Sequence, residues 1–202
     1  MNEAKLFYLD EYLISLGKLK RNEQIDITKD KKQRYKDVCD AIIKYFTNEW
    51  DKEQKTHGAE SSLERQKRAI IGYTNEVSFY KDKISEYLKQ NNLFDLWYPE
   101  WYPNLVEAIF HDNWGIAGIY EWLYSDDPKL KYSSSAKIIG EKIYFLIDGK
   151  QVLQKQTISK ERRERLKRAL ILSDPKKRIN DKYTEVFMLD GTRITIYGDN
   201  IT

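Results

Sequence analysis

Two Asp-Gly pairs, Asp148-Gly149 and Asp190-Gly191, constrain this chain more than anything else in it. Each lies between short apolar runs, KIIGEKIYFLI before the first and TEVFML before the second. A tight hairpin turn needs residues at positive φ, which Asp-Gly adopts at little cost, and its twist matches that of the flanking strands. Alternating hydrophobics around such a pair predict a β-hairpin. Residues 137–147 and 150–154 are the expected strands of the first, and 183–189 and 192–197 those of the second. Between them Ser159 precedes a basic segment whose spacing predicts a capped helix to about Leu172, with Leu166, Ala169 and Leu170 inward.

Upstream the period is helical. Leu6, Leu9, Tyr12, Leu13 and Leu16 make one stripe that ends at Gly17, and residues 18–32 read as a polar loop. Tyr35, Val38, Cys39, Ile42, Ile43 and Phe46 make the apolar face of a helix over residues 33–48. Residues 51–60 read as a linker, with Ser61 and Glu64 spaced as a capping box. A helical pattern then continues to about Gln90 with a break between Gly72 and Asn75. Aromatics crowd residues 93–102, and Pro103 suits the start of a short helix over residues 104–112. Gly115 and Gly118 leave room for a neighbouring backbone to approach. SDDPKLKYSSS, residues 125–135, is the expected boundary. The expected fold is therefore α+β, with a helical region over 1–124 and a small α/β module over 136–202 that holds two hairpins and one intervening helix.

Composition removes several function classes. One cysteine, Cys39, excludes an intrachain disulfide, and with His57 and His111 as the two histidines no zinc pattern is readable. Cys39 sits on an apolar face and reads as a packed thiol. No apolar run approaches the roughly eighteen residues of a membrane span, and the acid-interrupted N-terminal segment does not read as a signal peptide. A cytoplasmic location, peripheral at a membrane if attached to one, is the expectation. No phosphate-binding loop is present, and the GIAG at residues 115–118 lacks the strand that such a loop follows. Asp126 with Asp127, Glu100 with Glu107, and Ser133 to Ser135 carry no catalytic context. His111 stands four residues after Glu107 and next to Asp112, within reach of a carboxylate.

The basic run is the clearest charge feature. From Lys155 to Lys182 there are eleven Lys or Arg and four acids, among them Arg162, Arg163, Arg165, Lys167, Arg168, Lys176, Lys177 and Arg178. Such a run attracts phosphates or an acidic partner when it is a surface, and is a solvated helix face otherwise. A net charge of +3 and no DNA-reading pattern leave nucleic acid as a poor partner. Arg193 is the candidate binding side chain, because a guanidinium on a hairpin offers a rigid fork to phosphate or carboxylate. No catalytic residue and no metal ligand is assigned.

Five pieces occur in order: GIAGIYEWL at residues 115–123, DDP at 126–128, AKIIGEKIYFLIDGK at 136–150, ERLKRALIL at 164–172 and LDGTRITIY at 189–197. Together they resemble the N-terminal domain of the secretion ATPases of type II and type IV systems, above all the tight-adherence pilus and conjugation branch. Ile139 stands where that family carries Asn. The resemblance implies a cytoplasmic assembly, a homo-hexamer in the full-length form, with protein partners that include an inner-membrane protein of a secretion machine. It implies that Arg193 lies nearest the nucleotide and that the helix over residues 159–172 is a surface-exposed basic helix. ATP and Mg²⁺ would belong to the full-length protein. This chain alone, without Walker motifs, is expected to hold no cofactor and to hydrolyse nothing. The alternative is a stand-alone helical protein-interaction or scaffold protein with no connection to an ATPase.

Overall fold

The computed structural model describes residues 27–57, 62–131, 133–172 and 183–197. The helix expected over residues 3–16 and the proposed cap at Ser61 lie outside them. Helix α1, Ile27–His57, is longer than its apolar face, and it replaces both the end of the expected loop and residues 51–57 of the expected linker. No Gly or Pro occurs between residues 18 and 57, and Asp30 in the first turn favours the helix dipole, so nothing stops propagation. Tyr35, Cys39, Ile42 and Phe46 recur at helical spacing and are buried.

Helices α2, Ser62–Ile71, and α3, Thr74–Gln90, are separated where the sequence breaks. Gly72 takes φ +103°, its N–H reaches Ala69 O at 3.3 Å, and Tyr73 N–H reaches Arg68 O at 3.0 Å. That pair of bonds is a Schellman stop, which satisfies the last carbonyls of α2. Helix α4, Leu105–Asn113, is capped by Asn104, whose side-chain oxygen accepts from Glu107 N–H at 2.9 Å. Pro103 thus lies before the cap rather than inside the first turn. The main core joins α1, α3 and α4 through stacked aromatics: Trp114 lies 4.5 Å from Phe46 and 5.3 Å from Tyr80, centroid to centroid. Such ring pairs add to the burial of their area.

A 3₁₀ turn over Ala117–Ile119 leads into α5, Tyr120–Tyr124, then α6, Pro128–Lys131. Residues 125–135 are thus partly helical: Asp127 Oδ1 accepts from Lys129 N–H at 2.9 Å, and Leu130 is buried. Strands β1 (Ala136–Ile139), β2 (Lys142–Ile147) and β3 (Lys150–Thr157) form an antiparallel meander. The single strand expected over 137–147 is therefore two. Gly140 at φ +63° makes an extra turn with Glu141, so the first hairpin is a three-stranded sheet. Asp148 at φ +50° and Gly149 at φ +73° make the expected two-residue turn between Ile147 and Lys150.

Helix α7, Lys160–Leu172, follows Ser159, whose hydroxyl accepts from Arg162 N–H at 3.3 Å. Strands β4 (Tyr183–Phe187) and β5 (Arg193–Tyr197) pair antiparallel, a little shorter than expected. The expected two-residue turn at Asp190-Gly191 is instead a wider loop: the last rung pairs Phe187 with Arg193, Met188 N–H donates to Thr192 O at 2.8 Å, and of the two turn residues Gly191 alone takes a positive φ, +87°. The tip of this hairpin is tied to the helical half, because Leu189 N–H donates to Ile71 O at 2.9 Å. Ile70, Ile116, Ala169, Leu170 and Val186 share one buried cluster, so α2, the turn after α4, α7 and β4 meet in a common core. The coarse architecture is a helical stretch followed by small sheets with an intervening helix.

Candidate functional site

Arg193 begins β5 and stays exposed, with Nη1 3.4 Å from Glu185 Oε1 on the neighbouring strand. The hairpin register sets the rest of its face. Tyr183 pairs with Tyr197, Glu185 with Thr195 and Phe187 with Arg193, while Val186 and Ile194 on the opposite face pack inward. Tyr183, Phe187 and Tyr197 are 58%, 59% and 65% exposed. Period two places all six paired residues on one face, and three large rings there are in solvent.

The basic helix is not the open surface that the resemblance implies. Arg162 Nη1 sits 3.2 Å from Asp112 Oδ2, and that side chain is mostly buried. Burial works hardest against the Arg162 charge, but its polar neighbours, Asp112 foremost, together outweigh it and hold the guanidinium above its ordinary range. Arg163 donates to Gly140 O at 2.8 Å and contacts Glu164 at 3.2 Å. Arg165 is turned inward, and burial lowers its pKa. Lys167 is buried; Lys160 and Arg168 remain exposed. Lys176, Lys177 and Arg178 lie outside the described residues. The long apolar stems of Arg and Lys allow this inward packing when the head groups find partners.

Asp112 is the hub that the sequence did not reveal. Tyr35 OH from α1 donates to Oδ2 at 2.9 Å, Tyr102 OH from the aromatic connector donates to Oδ1 at 2.8 Å, and Arg162 arrives from α7. Burial first, then the Asp112 charge, pushes both phenols well above their ordinary range. Cys39 beside them is fully buried, and burial pushes its thiol up to about 11, so it is a packed thiol. The strong donors of the cluster are all spent on the Asp112 carboxylate.

One turn earlier on the same helix, Glu107 faces a cleft. Lys81 Nζ from α3 lies 2.5 Å from Glu107 Oε1, and His111 Nε2 lies 3.3 Å from Oε2. Burial pushes the Glu107 carboxyl up, but bonds from His111 and Lys81 outweigh it and leave the pKa lowered. His111 is buried and its pKa is lowered, by burial foremost, against the opposing pull of Glu107. Its Nδ1 accepts the Ile116 N–H at a long 3.5 Å, so the neutral ring carries its proton on Nε2 and donates to Glu107. Tyr120 lies 4.6 Å and Tyr124 6.2 Å from the imidazole, ring to ring. The cleft holds about 340 Å³, with Ile70, Val77, Phe110 and Ile116 on its apolar side.

The GIAG segment is built around this histidine. A Cβ at position 115 would meet His111 Nδ1 at 2.4 Å, and one at position 118 would meet Gln156 Cβ at 2.6 Å. Both glycines are close-approach sites, but what approaches Gly118 is the Gln156 and Ile143 side chains rather than the expected backbone, while Gly115 meets the His111 ring and Cα. Ala117 between them takes φ +53°, a conformation that costs an L-residue roughly 1–2 kcal/mol.

The other paired acids do not converge. Glu100 meets exposed Lys155 at 2.9 Å, Asp127 caps α6, and Ser133 Oγ accepts from Trp122 Nε1 at 3.0 Å. Among the described residues no group of three or more His, Cys, Asp or Glu is placed to hold a metal ion, and no helix is long and apolar enough to cross a membrane. His111 with Glu107 was readable from i,i+4 spacing. Lys81 and the three donors to Asp112 were not, since they come from distant segments. Compared with known proteins, the chain matches no family model, no curated protein and no solved structure.

Proposed function

We propose that this chain is a non-catalytic protein-binding module whose contact surface is the outer face of the β4–β5 hairpin. The observation that carries the reading is the exposure of Tyr183, Phe187 and Tyr197 around the Glu185–Arg193 pair on a single registered face. Tyr, aromatic and Arg side chains supply most of the affinity in protein interfaces, because they bury much area at low entropic cost. The occupant that fits is a partner protein with an apolar patch beside a carboxylate, which Arg193 would grip in a bidentate fork. The internal charges support the same reading: Asp112 pairs with Arg162 and Glu107 with Lys81 across elements, which holds those elements together.

The secretion- or conjugation-ATPase setting is a narrower proposal. There the partner would be a neighbouring subunit or an inner-membrane protein, and Arg193 would flank the nucleotide of a complete hexamer. The stand-alone scaffold needs the hairpin face and nothing more. A photo-crosslinking residue at Tyr197, introduced in cells of the source organism, tests the common core of both. A discrete cross-linked protein at Tyr197, absent when the probe stands at exposed Gln151 on β3, is the expected result. Equal labelling from both positions would sink the reading. Identification of an ATPase core or pilus protein in that adduct would separate the first setting from the second.

A further inference from the structure

We propose that His111 and the turn from Gly115 to Gly118 form a proton-operated latch on the seat of the β4–β5 hairpin. The latch is a short chain of contacts. His111 Nδ1 accepts the Ile116 N–H, and the Ile116 side chain packs in the same buried cluster as Val186 of β4 and Ala169 and Leu170 of α7. The hairpin tip enters from the other side, where Leu189 N–H is held by Ile71 O next to Ile70 of that cluster. One imidazole thus supports the turn on which the hairpin rests.

A proton added at Nδ1 turns an acceptor into a donor. Two N–H groups then face each other across the His111–Ile116 contact, and the bond is replaced by repulsion. The turn stores strain at Ala117, held in a left-handed conformation, and position 115 lies so near the ring that a Cβ there would meet Nδ1 at 2.4 Å. The charges around the ring set the direction. Glu107 and Asp112 on α4 favour the imidazolium, Lys81 on α3 opposes it, and enclosure by Phe110, Tyr102 and the α5 rings Tyr120 and Tyr124 opposes it most. Protons reach the ring through the cleft that it lines. The same cleft is a poor ligand site, because its ammonium and carboxylate are already paired with each other. The latch works in the free chain, whether or not the outer face docks a partner.

The test is an NMR titration of the imidazole together with amide exchange, from about pH 7.5 down to about pH 5, above the range where a free glutamate takes up its proton. The expected midpoint for His111 lies below the roughly 6.5 of a free histidine. Across that midpoint the protection of Ile116 N–H and of the β4–β5 ladder, corrected for intrinsic exchange, should fall together by about tenfold. His111→Gln keeps an acceptor but cannot titrate in this range, and it should abolish the fall. Glu107→Gln removes the carboxylate that favours the imidazolium, so the midpoint and the loss of protection should both move to lower pH. Unchanged ladder protection while His111 titrates would overturn the latch. So would a loss of protection that stays at the same pH in the Glu107→Gln chain.

Discussion

Asp112 and Glu107 stand five residues apart on α4 and do opposite work. Asp112 draws donors from α1, from the aromatic connector and from α7, and is sealed among them. Glu107 takes one donor from α3 and one from its own helix, at the wall of a cleft. A carboxylate that gathers distant elements is a fastener: it holds when buried and fails as a unit. A carboxylate beside a buried imidazole at an opening is adjustable, because a proton can reach it. Both acids are partly buried, so the donors each gathers, more than its exposure, decide which role it takes.

The largest expected effect tests the fastener. Asp112→Ala leaves Arg162 buried without its partner and two phenols without acceptors, at a cost of about 3–5 kcal/mol by urea unfolding. A loss under about 1 kcal/mol would mean that the hub is ornamental and that the two acids are alike. Gly115→Ala comes next. Its Cβ meets the imidazole and the His111 backbone, so overpacking should cost about 1–3 kcal/mol and shift the His111 titration. An unshifted titration would detach the turn from the ring.

Those two experiments probe contacts that the sequence disclosed unevenly. The Tyr35, Cys39, Ile42, Phe46 face, the stop at Gly72 and the Asp148-Gly149 turn were legible because each is set by residues within a few positions; Asp190-Gly191 marked the second hairpin but not its wider loop. The turn at Gly140 was missed, since alternation runs straight through KIIGEKIYF and no Asp or Asn precedes the glycine. The Asp112 hub was invisible for a different reason: its Tyr35 donor is 77 residues away, and nothing local announces a pairing at that range. The basic helix misled because charge count says nothing about direction. Arg162 points inward to Asp112, and Arg163 is taken up by Gly140 O and Glu164.

Stability against pH gives a smaller effect that sharpens the contrast. His111 is lowered in the folded chain, so below about 6.5 the unfolded chain binds the extra proton first. Stability is full above that pH and falls as pH drops through the window between 6.5 and the lowered folded value. Glu107 is lowered too, and its contribution is lost only as pH falls below its ordinary 4.5. Thermal melts at stepped pH should show the first decline disappear in His111→Gln and the second in Glu107→Gln. The smallest expected effect is that of Arg193→Ala, within about 0.5 kcal/mol, because an exposed pair with Glu185 holds little. A larger loss by the same urea assay would make Arg193 a second fastener and remove it from the binding face.

The bond from Leu189 N–H to Ile71 O also has a mechanical meaning. It anchors the hairpin at its turn, while Tyr183 and Tyr197 stand opposite each other at the open end. Tension applied across that open end loads the strand ladder one rung at a time, the way a zipper parts, and reaches the anchor last. The module would therefore yield softly and in order, with the hairpin as its fuse and the aromatic core around Trp114 untouched. Pulling a single molecule between positions 183 and 197 should give one low-force event of hairpin length, because the helices lie outside the loaded segment. A high-force rupture would show instead that the core packing of Val186, rather than the strand ladder, bears the load.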